Sequence, residues 1–226
     1  KSEESTKPVI SSFCPAVIRL IQVKFPALVD NIMLLKPPLD ISANFYKQML
    51  KDKGVKAEDI GIFYITPCAA KIAAIKSPVG EDRSEVDGVI NMNFLYNKIL
   101  RTLKQKGSDR SNEPISTALK PQSILWTLTN GEASQVNGRC LAIDSLHNVI
   151  EFLEKIENDE ITDIDFLEIR ACDEGCAGGV LTSGNRFLTV ERLRNRSKQL
   201  ADENEKTPRE FTSDIDDYKD FLLNRI

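Results

Sequence analysis

The residues in this chain best suited to chemistry are cysteines. Cys172 and Cys176 stand with three residues between them in the stretch EIRACDEGCAGG, Glu168 to Gly179, directly after an apolar run from Ile164 to Ile169. Two thiolates that close on one turn can serve a single metal centre. Gly175, Gly178 and Gly179 let the backbone approach such a centre without a Cβ clash and can leave N–H groups facing sulfur. The pair alone would equally suit two buried, inert thiols. Two further single cysteines, Cys14 in SSFCPAV and Cys68 in ITPCAAK, have matching surroundings: a short apolar run, a proline beside the thiol, then helical spacing. The fifth, Cys140, lies in a strand-like run between Arg139 and Leu141 and reads as a small core residue.

The rest of the composition narrows the field. With 226 residues, 41% hydrophobic and 28% charged, the chain is long enough for one large domain or two lobes with a proper core. A net charge of -4 gives no electrostatic footprint for nucleic acid or an anionic membrane, and no apolar run approaches the ~18 residues of a membrane span. The polar start KSEESTKP is no signal peptide, and a first residue other than Met reads as a piece of a longer protein. An odd, low cysteine count argues against a disulfide framework and for a reducing, cytoplasmic setting. A single histidine, His147, leaves no material for a His-rich metal site or a Ser-His-Asp triad.

The elements that must position the thiols follow from periodicity and caps. Pro15 suits a first helical turn, which places Cys14 at the positive end of a helix that Pro26 terminates. A second helix, capped by Asp40 or Ser42, runs to about Asp52 with Phe45, Met49 and Leu50 inward. Ile60 to Thr66 reads as a buried strand leading into Pro67-Cys68 and another helix. A strand over Val86 to Ile90 precedes a helix capped by Asn91, with Phe94, Leu95, Ile99 and Leu100 on one inward face. Lys76 to Arg83 reads as a polar loop, and Gly107 to Pro121 as a mobile insertion. Ile124 to Leu128 and Arg139 to Ile143 bracket the turn signals Asn130-Gly131 and Asn137-Gly138 as strands would. A helix over Ser145 to Ile156 carries Leu146, Val149, Ile150 and Leu153 at core spacing, and another beyond Gly179 carries Val190 and Leu193. Alternating strands and helices imply an α/β protein with largely parallel sheets flanked by helices, and ligands in such sheets sit at the strand C-terminal ends. One domain over 1–200 and a polar tail or linker over 201–226 complete the expected organisation.

Taken in order, SSFCPAV, ITPCAAK and EIRACDEGCAGG resemble the three signature segments of the iron-only ([FeFe]) hydrogenase large subunit, C-terminal domain, whose patterns are approximately TSCCPxW, MPCxxKxxE and ExMACPGGCxxGGG. The resemblance covers roughly Val9 to Leu200 and implies that family's two-lobed fold. It also implies a [4Fe–4S] cluster held by Cys14, Cys68, Cys172 and Cys176, with Cys176 bridging to a diiron subcluster. Four soft thiolates suit iron–sulfur or zinc over a hard cation. By the same resemblance Lys71 corresponds to the lysine that hydrogen-bonds a cyanide ligand of the diiron unit; otherwise it is a solvated helix lysine.

Several positions depart from the pattern. The family's proton-relaying cysteine before Cys-Pro is Phe13 here, and the two methionines that line the diiron pocket are Thr66 and Arg170. The KSPxQ loop reads Lys36-Pro37-Pro38-Leu39-Asp40, and the ACPGGC turn has gained Asp173 and Glu174, charges that would lower a cluster's reduction potential. The family also draws on a segment before the first motif that this sequence does not include. The cubane ligand set is kept while the diiron and proton-transfer surround is largely lost, as in divergent, sensory-type members fused to electron-transfer or signalling domains. Three functions remain open. One is a cluster-binding redox or H2-sensing module. Another is an active hydrogenase interconverting H2 with protons and electrons. The third is non-enzymatic: a scaffold of iron–sulfur assembly, or a fold whose thiols bind zinc or no metal.

Overall fold

A computed structural model describes residues 8–78, 84–106 and 119–206. Two small, wholly parallel sheets carry the cysteine loops. In the first, β5 (Phe166–Ile169) is central, with β1 (Val9–Ile10) on one side and β4 (Cys140–Ile143) on the other. In the second, β2 (Phe63–Thr66) pairs with β3 (Gly88–Asn91). Parallel strands need crossovers, and helices supply them. β1 feeds α1 (Pro15–Lys24), β2 feeds α3 (Ala69–Lys76), β3 feeds α4 (Met92–Lys106) and β4 feeds α6 (Leu146–Glu157). α2 (Pro38–Asp52) precedes β2, while α5 (Pro121–Leu125) and α7 (Arg186–Lys206) pack on each other.

The two halves are not equally well cored. β1 and β5 lie against α1 and α6, where Ile10, Val17, Ile21, Phe25, Val149, Leu153, Leu167 and Ile169 form one buried apolar cluster. A smaller cluster of Leu128, Ala177 and Val190 seats α5 and the cysteine turn on α7. Around the second sheet, burial is thin. Ala43 and Val86 are buried, but Phe63 and Ile65 on β2 and Phe94, Ile99 and Leu103 on α4 are exposed.

Several expectations need correction. Phe94 and Ile99 are 67% and 49% exposed, so the apolar stripe of α4 does not face inward as its spacing suggests; periodicity identifies an amphipathic helix but not what covers it. Leu146 is likewise exposed at the first turn of α6. Ile124 to Leu128 is not a strand. Pro121 stands at the first position of α5, and Ser197 on α7 donates its hydroxyl to the Pro121 carbonyl at 2.9 Å, so helix packing prevails over β-branched composition. α2 starts at Pro38, ahead of the expected Asp40 or Ser42 caps. Asn91 does cap α4, its Oδ1 accepting from Asn93 N–H and Phe94 N–H at 2.9 and 3.2 Å. The loop over 76–83, the insertion over 107–121 and the tail over 201–226 fall largely or partly on 79–83, 107–118 and 207–226, outside the described residues.

The contrast between the halves is measurable. Leu153→Ala, at a fully buried position, should cost about 2–5 kcal/mol in urea unfolding. Phe94→Ala should change stability by less than about 0.5 kcal/mol.

Candidate metal centre

Each of the four motif cysteines follows a parallel strand, whereas Cys140 begins one. Cys14 is the residue before α1, in extended backbone, with Pro15 opening the helix behind it. Cys68 has the same place before α3, and its Sγ accepts the Lys71 N–H at 3.4 Å. Thr66, at the end of β2, is buried, and its Oγ1 accepts the Cys68 N–H at 3.1 Å, so this hydroxyl fixes the approach to the thiol. Cys172 and Cys176 lie on the turn after β5.

That turn is tightly clamped. Gly175 has φ +67°, and a Cβ there would come within 2.7 Å of the Thr127 carbonyl oxygen. A Cβ on Gly178 would collide with the Asp173 carbonyl. Cys176 N–H donates to the Thr127 carbonyl at 2.8 Å, Glu174 N–H donates to Asp144 Oδ2 at 2.9 Å, and Leu181 N–H donates to the Pro67 carbonyl at 3.2 Å. The last bond joins the turn to the Cys68 loop of the other sheet. Asp173 pairs with Arg186 at 3.2 Å, which neutralises one of the two charges added to this turn.

Beneath the turn lies a buried polar network that sequence reasoning did not find. Glu168 is fully buried; its carboxylate accepts the backbone N–H groups of Asn130, Glu132 and Ala133 at 3.2, 2.9 and 2.8 Å, and Arg170 Nε at 3.0 Å. Arg170, only 2% exposed, also reaches Glu132 Oε2 at 3.4 Å, and the Ser11 hydroxyl donates to that same oxygen at 2.7 Å. The one hint in the sequence was the NGE turn, since only a tight turn can aim successive N–H groups at one acceptor.

Arg170 Cζ lies 3.8 Å from the centroid of the Phe13 ring, and Lys71 Nζ lies 3.8 Å from the same centroid. Both cations therefore lie against the Phe13 ring. Arg170, at one of the positions expected to line a diiron pocket, thus packs on Phe13, at the position of the expected proton relay.

The four thiols sense each other's charge. Burial pushes Cys172 up to about 11, with further upward pressure from Cys14, Cys68, Cys176 and Asp173. Cys176 is also raised by burial; Lys71 and Arg170 pull it back, while Cys14 and Cys68 add to the rise. Cys172 and Cys176 thus feel the charges of Cys14 and Cys68, and Cys176 also feels that of Lys71. The Cys140 Sγ meets the Val136 carbonyl at 3.4 Å on β4. None of the five is in a disulfide. Among the described residues, no three His, Cys, Asp or Glu side chains are placed to hold a metal ion. No described helix is long and apolar enough to cross a membrane.

Two titrations follow. In the metal-free protein at pH 8, Cys172 carries thiolate in on the order of one molecule in a thousand, so iodoacetamide should label it far more slowly than an ordinary surface thiol. Glu132 is raised above 4.5 by burial, against the opposing pull of Ser11 and Arg170. It holds its proton more tightly folded than unfolded, so its contribution favours the fold at low pH and is lost as pH rises through the folded value. Glu132→Gln has no proton to lose, and its Tm should gain on the wild type as pH rises above 4.5.

Comparison with known proteins gives a consistent family. No curated relative matches the chain. Among solved structures, HydA(deltaEFG), described for stepwise [FeFe]-hydrogenase H-cluster assembly, matches with a TM-score of 0.57 at 16% identity. The apo form of a variant of [FeFe]-hydrogenase HydA1 from Chlamydomonas reinhardtii gives 0.59, also at 16% identity. In both cases 84% of this chain is covered and it spans 65% of the matched chain. At that identity the likeness is one of fold. The sequence model for the iron only hydrogenase large subunit, C-terminal domain, matches residues 1–124 and 95–180, and this chain belongs to that family.

Proposed function

We propose that this chain is a hydrogenase-derived redox module that holds one [4Fe–4S] cluster on Cys14, Cys68, Cys172 and Cys176. Its role is electron transfer or the sensing of redox state or H2, with little or no H2 turnover. The observation that carries this reading is the Lys71–Phe13–Arg170 stack beside Cys176.

The donor set suits a cubane. Four soft thiols from three loops converge, and Arg170 Nη1 is buried without a hydrogen-bond partner, a donor that an anionic cluster can satisfy. In a zinc site four sulfurs must each lie about 2.3 Å from one ion. A cubane puts a separate iron behind each sulfur, so its ligands stand farther apart. When bound, the cluster supplies one-electron redox chemistry. The chain's part is to fix the thiols with backbone hydrogen bonds, to screen the site with Phe13 and to place positive charge next to Cys176.

The same residues do not fit a diiron subcluster. Phe13 cannot carry a proton, and the ring with its two cations takes the place that the family resemblance gives to a cysteine and a methionine. Arg170 cannot swing aside without stranding Glu168 and Glu132, a change that costs about 3–5 kcal/mol for a buried pair. Lys71, retained next to Cys176, is the observation that favours the alternative of a working hydrogenase. The fused partner would be an electron-transfer or signalling domain, and unpaired thiols suit a reducing, cytoplasmic setting.

Anaerobic reconstitution with ferrous iron and sulfide tests the assignment. The wild type should bind about four irons and four sulfides per chain. Cys68→Ala and Cys176→Ala should lose the thiolate-to-iron absorption, whereas Cys140→Ala should keep it. Exposure to a synthetic diiron complex should add no CO or CN infrared bands. Their appearance, or zinc in place of iron, would refute the proposal.

A further inference from the structure

Lys71 is only 8% exposed, yet among the described residues no carboxylate lies within ion-pair distance of its Nζ. Its neighbours are aromatic faces: Phe13 at 3.8 Å and Tyr64 at 6.0 Å from Nζ to the ring centroids. Arg170, also against the Phe13 ring, differs in that Glu168 and Glu132 already balance its charge. A buried ammonium without a counter-anion is costly, and ring faces recover only a part of that cost. Lys71 does act on thiol sulfurs. Its backbone N–H meets Cys68 Sγ, and its charge acts on Cys176.

We infer that Lys71, held in place by the Phe13 and Tyr64 rings, is the counter-cation of the bound cluster and raises that cluster's reduction potential. This rests on the cluster assignment proposed above. Four thiolates around a [4Fe–4S] core leave a net negative charge, and one-electron reduction adds another. A fixed cation favours the more negative, reduced state. Lys71 is thus a positioning charge and touches no reacting atom. It opposes the potential-lowering effect of Glu174; Asp173 is already compensated by Arg186.

The metal-free and loaded proteins should respond with opposite signs. Lys71→Met removes an uncompensated buried charge, so the metal-free chain should melt at a higher temperature than wild type. The reconstituted cluster, followed by EPR during a redox titration, should show a lower midpoint potential. Lys71→Arg keeps the charge and should return the potential toward the wild-type value. A merely structural lysine would lower the melting temperature on replacement and leave the potential unmoved. Any result other than the two opposite shifts overturns the inference. If the wild type takes up no iron and sulfide, the cluster assignment fails and this inference falls with it. If it loads and Lys71→Met leaves the potential unchanged, this inference alone fails.

Discussion

The site depends on one fully buried carboxylate. Glu168 lies in the central strand β5 facing the segment after α5, and it organises that segment by accepting three backbone donors and a guanidinium. A carboxylate in an apolar interior is tolerable only when its lone pairs are filled, and here four donors fill them. The ordered loop then supplies the Thr127 carbonyl that receives Cys176 N–H. Replacing Glu168 by an apolar residue would strand Arg170 and release the segment against which the cysteine turn is built. The geometry of the cysteine turn is therefore an indirect product of charge burial four residues before the first cysteine of the pair.

A second constraint is the use of parallel strands. Such strands all point the same way, so their C-terminal ends and the following helix N-termini fall on one edge. β1, β2 and β5 deliver Cys14, Cys68 and Cys172 to that edge, and the Leu181–Pro67 hydrogen bond brings the two sheets' edges into register. Cys140 lies at the start of β4, the opposite end from those edges, which explains its distance from the others in spite of identical chemistry.

Much of this was legible in the sequence. Pro15 and Pro67 beside thiols, Asn91 before a helix and the glycines after Cys176 each state a local geometry that the fold adopts. Long-range polar pairing left no such trace. Glu132 lies 38 residues from Arg170 and Ser11 lies 121 from Glu132, and nothing in the spacing of either pair suggests a meeting. Phe13 and Arg170 stood out one at a time as departures from a family pattern. That Arg170 and Lys71 both lie over the Phe13 ring is a fact of three dimensions. The apolar stripe of α4 misled for a related reason, because a pattern of side chains describes one surface and its complement must be found elsewhere.

The uneven core has a kinetic meaning. Cys14, Cys172 and Cys176 are anchored to a well-filled apolar cluster, whereas Cys68 and Lys71 stand on a two-stranded sheet with exposed Phe63 and Ile65. Units with little buried area open independently and more often than the rest. Backbone amides of β2 and β3 exchange with solvent through such local openings, which detach one sulfur-bearing arm while the other arms stay put. A cluster bound as proposed would tie the weaker half to the stronger one, and its lifetime would then follow how often the weaker half opens.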